Sequence, residues 1–147
     1  MNDEYFMNEA ILEAKKAYDL DEIPVGAIIV KDKKIVGRGH NLKEKTADAT
    51  NHAEIIAIKS ASKEINNWRL LDTTMYVTML PCPMCASAIN QARISKVVYG
   101  TTPDYANSKQ ITDILSNKNY GLPVEIVKSN KEDECRELLI KFFQKKR

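Results

Sequence analysis

A chain of 147 residues, 44% hydrophobic and 29% charged, has the balance of one globular domain, 1–147, large enough to bury a core. No stretch approaches the roughly 18 apolar residues that span a bilayer, and the acidic start Met1-Asn2-Asp3-Glu4 has no apolar run behind it, so neither a membrane span nor a signal peptide is expected. A net charge of +2 is too small to argue for nucleic acid alone, and three cysteines, two of them in a C-x-x-C, favour metal or redox use in a cytoplasmic protein over a disulfide framework.

In chain order, residues 3–19 predict a helix capped by Asn2 or Asp3, with Met7, Ala10, Ile11, Ala14 and Tyr18 on one stripe. The apolar run Val25 to Val30 and the extended piece Ile35 to Gly39 flank a polar turn, Lys31-Asp32-Lys33-Lys34, and predict a β-hairpin. A loop over 42–51 precedes a helix from His52 to Glu64. Thr74 to Met79 alternates as a strand, Pro83 to Ala92 is a small-residue helix, and Ile94 to Tyr99 contains another strand. A short helix over 107–117, a short strand Val124 to Val127 and a terminal helix Asp133 to Lys145 complete the chain, the last with Leu138, Leu139, Phe142 and Phe143 apolar. Strands alternating with helices after an opening hairpin imply the α/β class, a mixed five-stranded sheet covered on both faces in three α/β/α layers. Lys141 to Arg147 carries four cations, two aromatics and no acid.

Two blocks carry chemistry: His52-Ala53-Glu54 and Pro81-Cys82-Pro83-Met84-Cys85. One imidazole and two thiols are three zinc ligands, and an open zinc site has a use for a carboxylate that is not a ligand. His52 and Glu54 are about 200° apart around a helix, so they face a common point only at a helix start. Thr50 and Asn51 are the expected caps there. Cys82 and Cys85 are i, i+3 neighbours on one turn, and Pro83 suits the first helical position. Both blocks therefore read as helix N-termini, whose dipoles favour thiolates and a developing oxyanion. Zinc on His52, Cys82 and Cys85 would keep one position for water, and Glu54 would carry its proton to a ring nitrogen and the leaving amine.

A closed structural zinc would need His40 or Cys135 as a fourth ligand, and the spacing of His40 from His52 is not that of a zinc finger. A redox pair at Cys82 and Cys85 would leave His52 and Glu54 unexplained. Asn41, at a strand end, either reads a base edge or caps a turn. Of Phe142 and Phe143, one shares the core stripe and the other is a stacking platform or a rim residue. Lys145, Lys146 and Arg147 are nucleic-acid contacts or a solvated helix end, and Cys135 reads as a small core residue.

With these motifs the chain resembles the cytidine/deoxycytidylate deaminase superfamily, and within it the bacterial tRNA adenosine deaminases. The resemblance runs through Ile23-Pro24-Val25-Gly26-Ala27, Gly37 to Asn41, His52-Ala53-Glu54, Trp68-Arg69-Leu70, Tyr76-Val77-Thr78, Pro81 to Cys85, Ala92-Arg93-Ile94, Val97 to Gly100, Asp133-Glu134-Cys135 and Phe142-Phe143. It implies a cytidine-deaminase-like fold, one Zn2+ per chain, a homodimer, and conversion of the wobble adenosine of a tRNA anticodon to inosine. By the same resemblance Asn41 would hydrogen-bond the target base, Ala53 and Pro81 would join the substrate-binding set, and Phe143 with Lys146 and Arg147 would touch the anticodon loop.

Two segments leave the family pattern. Leu80 stands where an acidic residue usually precedes the Pro-Cys pair, and altered packing or a changed pocket rim is expected from it. Thr101 to Lys109 lacks the basic, glycine-rich character usual there. That difference motivates an alternative substrate, a free nucleobase or nucleoside of guanine, cytosine or adenine type. A non-catalytic zinc-stabilised RNA-binding subunit is a further alternative, against which an intact Glu54 speaks.

Overall fold

A computed structural model describes residues 2–146. Helix α1 (Asp3–Asp19) starts where Asn2 accepts a hydrogen bond from the Tyr5 amide, and buries Phe6, Met7, Ala10, Ile11, Ala14 and Ala17. Strands β1 (Gly26–Lys31) and β2 (Lys34–His40) form the expected hairpin. Its turn residues, Asp32 and Lys33, both take positive φ (50° and 64°), the left-handed geometry that matches strand twist. The predicted loop holds a one-turn helix, α2 (Lys43–Thr46), before α3 (Ala53–Ile65). Then come β3 (Thr73–Met79), α4 (Pro83–Gln91), β4 (Lys96–Thr101), α5 (Ser108–Leu115), β5 (Glu125–Lys128) and α6 (Glu132–Lys145). Boundaries differ from expectation by a residue or two at most ends, the usual uncertainty of helix and strand termini.

The five strands form one mixed sheet in the order β2-β1-β3-β4-β5, antiparallel across β2, β1 and β3 and parallel from β3 to β5. Strand side chains alternate between two apolar layers. Ala27, Ile29, Met75, Val77 and Val97 pack toward α3, α4 and α5, whereas Ile28, Val30, Tyr76 and Val98 pack with Phe6, Met7, Ala10 and Ile11 of α1 and Cys135 of α6. This is the three-layer α/β/α architecture expected. Small residues set the depth of the layers: a Cβ at Gly39 would lie 2.4 Å from the Ala53 carbonyl oxygen, and one at Gly37 2.6 Å from that of Ala57. Helix α3 thus lies directly on β2, with its first residue over the strand's end. Tyr18, expected on the α1 stripe, is only half-buried, and Glu13, a polar position, is buried.

Candidate active site

Two helix starts build the site. His52 is the N-cap residue of α3 (φ −74°, ψ 158°), and Cys82 is the N-cap residue of α4 (φ −72°, ψ 171°) with Pro83 at the first helical position. The expected caps Thr50 and Asn51 do not cap α3, because their side chains are engaged within the preceding loop, on Asp48 and Thr46. Neither His52 nor Cys82 caps its own helix. The two side chains meet instead: His52 Nδ1 lies 3.7 Å from Cys82 Sγ and 3.5 Å from Cys85 Sγ. All three ligand atoms fall within 4.8 Å of one another.

A tetrahedral zinc with Zn–S of about 2.3 Å and Zn–N of about 2.0–2.1 Å separates its N and S ligands by about 3.5 Å. The observed spacings fit such an ion without rearrangement. A fourth protein ligand is missing among the described residues. His40 Nδ1 is 3.0 Å from Glu13 Oε1, and Cys135 lies in the core layer across the sheet. Neither joins the cluster, so an open site is what these residues can form.

Electrostatics suit a cation. The Cys82 thiol is pulled down to about 4, chiefly by the hydrogen bond from Cys85 and against the effect of burial. Cys85 is pushed upward by the same hydrogen bond and by burial, so the sulfurs share one proton that a metal would displace. Glu54, on the first turn of α3, is 4% exposed, and burial raises its carboxyl to about 7.

A cavity of about 200 Å³ opens onto this cluster. The helix starts contribute His52, Ala53, Glu54 and Cys82. Ile23 and Val25 come from the segment before β1, Asn41 from just after β2, Lys43 from α2, Met79, Pro103 and Tyr105 from β3 and the loop after β4, and Leu139 and Phe143 from α6. Asn41 donates to the Ile23 carbonyl (3.2 Å) and accepts from the Lys43 amide (3.0 Å), so it both holds its turn and faces the cavity.

The other expected site residues divide. Ala53 and Phe143 line the cavity, and Phe143 is 46% exposed while Phe142 is the buried member of the pair. Pro81 lies in an adjoining hollow with Leu80 and Pro83, outside the cavity, because the chain turns away from it before Cys82. Leu80 is buried in the core, its amide bonded to the Thr101 carbonyl at 2.8 Å, so its departure from the pattern is one of packing. Lys146 lines a second hollow, with Lys43, Lys45 and Phe143, and sits 2.5 Å from Asp21. Arg147 lies outside the described residues.

Residues the motifs did not single out also shape the site. Buried Glu22 accepts the amides of Glu44 (3.0 Å) and Lys45 (2.7 Å), which fixes α2 and with it Lys43. An acid directly before the Ile23-Pro24-Val25 run was the only sequence signal for it.

Comparison with known proteins places residues 1–101 in the family described as the cytidine and deoxycytidylate deaminase zinc-binding region. A tRNA-specific adenosine deaminase of Streptococcus pyogenes is 41% identical over 97% of this chain and 91% of its own length. The chloroplastic tRNA(adenine(34)) deaminase of Arabidopsis thaliana is 58% identical over 67% of this chain, a match that spans only 8% of that longer protein. A structure solved in a study of A-to-I editing by tRNA:A34 deaminases superposes with a TM-score of 0.85 at 33% identity, covering 92% of this chain and 99% of that one.

Proposed function

The chain belongs to the cytidine and deoxycytidylate deaminase family, and we propose that it is a zinc-dependent hydrolase that converts adenosine to inosine at the wobble position of tRNA. One observation carries the assignment beyond the family. The cavity lined by His52, Glu54 and Cys82 is base-sized and opens beside an aromatic ring and lysines, Phe143, Lys43 and Lys146, suited to a base delivered on a polyanionic strand. The near full-length likeness to proteins named for that activity supports the same reading.

In this proposal His52, Cys82 and Cys85 hold the metal, which when bound supplies a Lewis acid that lowers the pKa of water. Glu54 accepts one proton of the water and delivers it to the ring nitrogen, then relays the second, from the hydroxyl now on the ring carbon, to the departing amine, so that the C–O bond replaces the C–N bond, one water is consumed and one ammonia released. Its burial keeps that carboxylate from dissipating the proton into solvent. The carboxamide of Asn41 spends one N–H and one lone pair on Ile23 and Lys43, leaving one donor and one acceptor for the edge of the base. Ala53 contributes only a methyl group beside the ligands, leaving room for a planar ring. Phe143, at the cavity rim, stacks on the strand, with Lys146 near its phosphates.

Incubation with a tRNA bearing adenosine at position 34, followed by sequencing of the product, is expected to give inosine there. No conversion at zinc saturation would overturn the assignment, and ammonia release from free guanine, cytosine or adenine in its place would favour a free-base enzyme.

We propose in addition that the protein is a homodimer of single-domain chains, 1–147, working in the cytoplasm. The exposed Trp68, with Arg69 and Arg93 at 4.3 and 5.4 Å from its ring centroid, supports association. A ligand set of two thiolates supports a reducing compartment. No helix among the described residues is long and apolar enough to cross a membrane.

A further inference from the structure

Tyr105 is 84% exposed, the most exposed large aromatic of the chain, and among the described residues its ring packs on no other aromatic ring. Such a ring contributes little to the core, yet its backbone is firmly held. The Ala106 amide bonds to the Pro103 carbonyl (3.0 Å) and closes a turn around it. Thr101 anchors the segment in β4 on one side, and Asn107, which caps α5 through the Gln110 amide, anchors it on the other. A turn tied at both ends thus presents an unpacked aromatic ring.

Tyr105 borders two hollows at once, the cavity that holds Glu54 and the neighbouring one lined by Leu80, Pro81 and Ile111. It therefore stands on the ridge between them. A cavity of about 200 Å³ takes a single base, so a strand that delivers one must leave its flanking nucleotides outside, over such a rim. The turn 103–106 offers that strand no cation, only Asp104 and the ring, so a contact here is made by a π face. The cations lie instead near Phe143, at Lys43, Lys45 and Lys146.

We infer that Tyr105 is a specificity-determining residue: its ring stacks on a nucleotide adjacent to the target base and so favours a base carried in an RNA strand over a free one. This rests on the reading of the site as one that acts on RNA. Stacking on an aromatic ring is sequence-tolerant and depends on the ring more than on the phenol hydroxyl.

The test uses the zinc-loaded full chain and an anticodon-loop RNA with 2-aminopurine beside the target adenosine. The wild type and Tyr105→Phe are expected to quench the 2-aminopurine fluorescence and to bind within about twofold of each other, while Tyr105→Ala relieves the quenching and weakens Kd and KM about tenfold. Zinc content and melting temperature should stay near wild type. Unchanged quenching and Kd in Tyr105→Ala would overturn the inference. RNA that is bound and stacked but never converted would overturn the deaminase assignment and leave Tyr105 in place, whereas a wild type that binds no RNA would overturn both.

Discussion

Two buried carboxylates in this chain are moved in opposite directions by what surrounds them. Glu54 has no cation at hydrogen-bond distance, and burial raises it to about 7. Burial works to raise Glu13 as well, but hydrogen bonds from Lys16 (2.7 Å) and His40 (3.0 Å), with Arg38 at 3.4 Å, outweigh it and hold the carboxyl below its usual value. Glu54 is therefore fit to exchange a proton and Glu13 to stay charged. Glu54→Ala should keep zinc and melting temperature while inosine formation disappears; Cys85→Ala should lose zinc and melt earlier, because metal binding is coupled to folding. Metal analysis beside a turnover assay separates the two outcomes. For Glu13 the sign follows from the lowered folded value. Its contribution to stability is present above the unfolded value of 4.5 and is lost as pH falls through the folded one. Urea midpoints should thus drop less between about pH 6 and pH 3 in Glu13→Gln than in the wild type, and equal drops would refute the role. Neither environment was readable locally. Glu13 occupies a polar position of the α1 pattern, and its partners Arg38 and His40 arrive from β2.

At the scale of elements, the glycines of β2 decide how close α3 comes. Gly37 and Gly39 leave no room for a side chain beneath Ala53, Ala57 and Ala61. Gly39→Ala should push the start of α3 off the strand, costing about 1–3 kcal/mol of stability, and should weaken zinc binding by shifting His52 and Glu54 away from the cysteines. Chemical denaturation and a zinc-chelator competition check both parts, and a variant that loses stability with unchanged zinc affinity would show that α3 pivots without moving its first turn. The helices and strands themselves were legible from apolar periodicity and turn residues. Their caps were less so: His52 and Cys82 are N-cap residues because each is committed to the other's helix, a pairing between positions thirty residues apart that local preference for Thr50 or Asn51 does not contain.

At the scale of the whole molecule, the sheet order sets β1 between β2 and β3, and the helices that follow β2 and β3 start side by side at one edge of the layers. The ligands and the carboxylate meet there, and α6 closes the cavity with Leu139 and Phe143. The far side carries the exposed cluster of Trp68, Arg69 and Arg93, with the Tyr120 carbonyl bonded to Arg93. If two copies associate through it, Trp68→Ala should weaken the dimer about tenfold or more, measured by sedimentation equilibrium, and should leave the melting of the monomer unit near wild type. A variant that remains as dimeric as the wild type would remove this face from the interface.

The residue types and their spacing by themselves pointed to the α/β class, to His52, Cys82 and Cys85 as a group that could hold zinc, and to Glu54 as a carboxylate beside them, because metal chemistry needs few groups and those groups are rare enough to stand out. Only the tertiary structure decided what surrounds them. It drew Lys43, Tyr105 and Leu139 into the cavity, put Pro81 outside it, tied Lys146 to Asp21 and buried Glu22 as the anchor of α2. These are contacts between segments far apart in the chain, and they depend on layer spacing and loop paths that no local pattern of residues specifies.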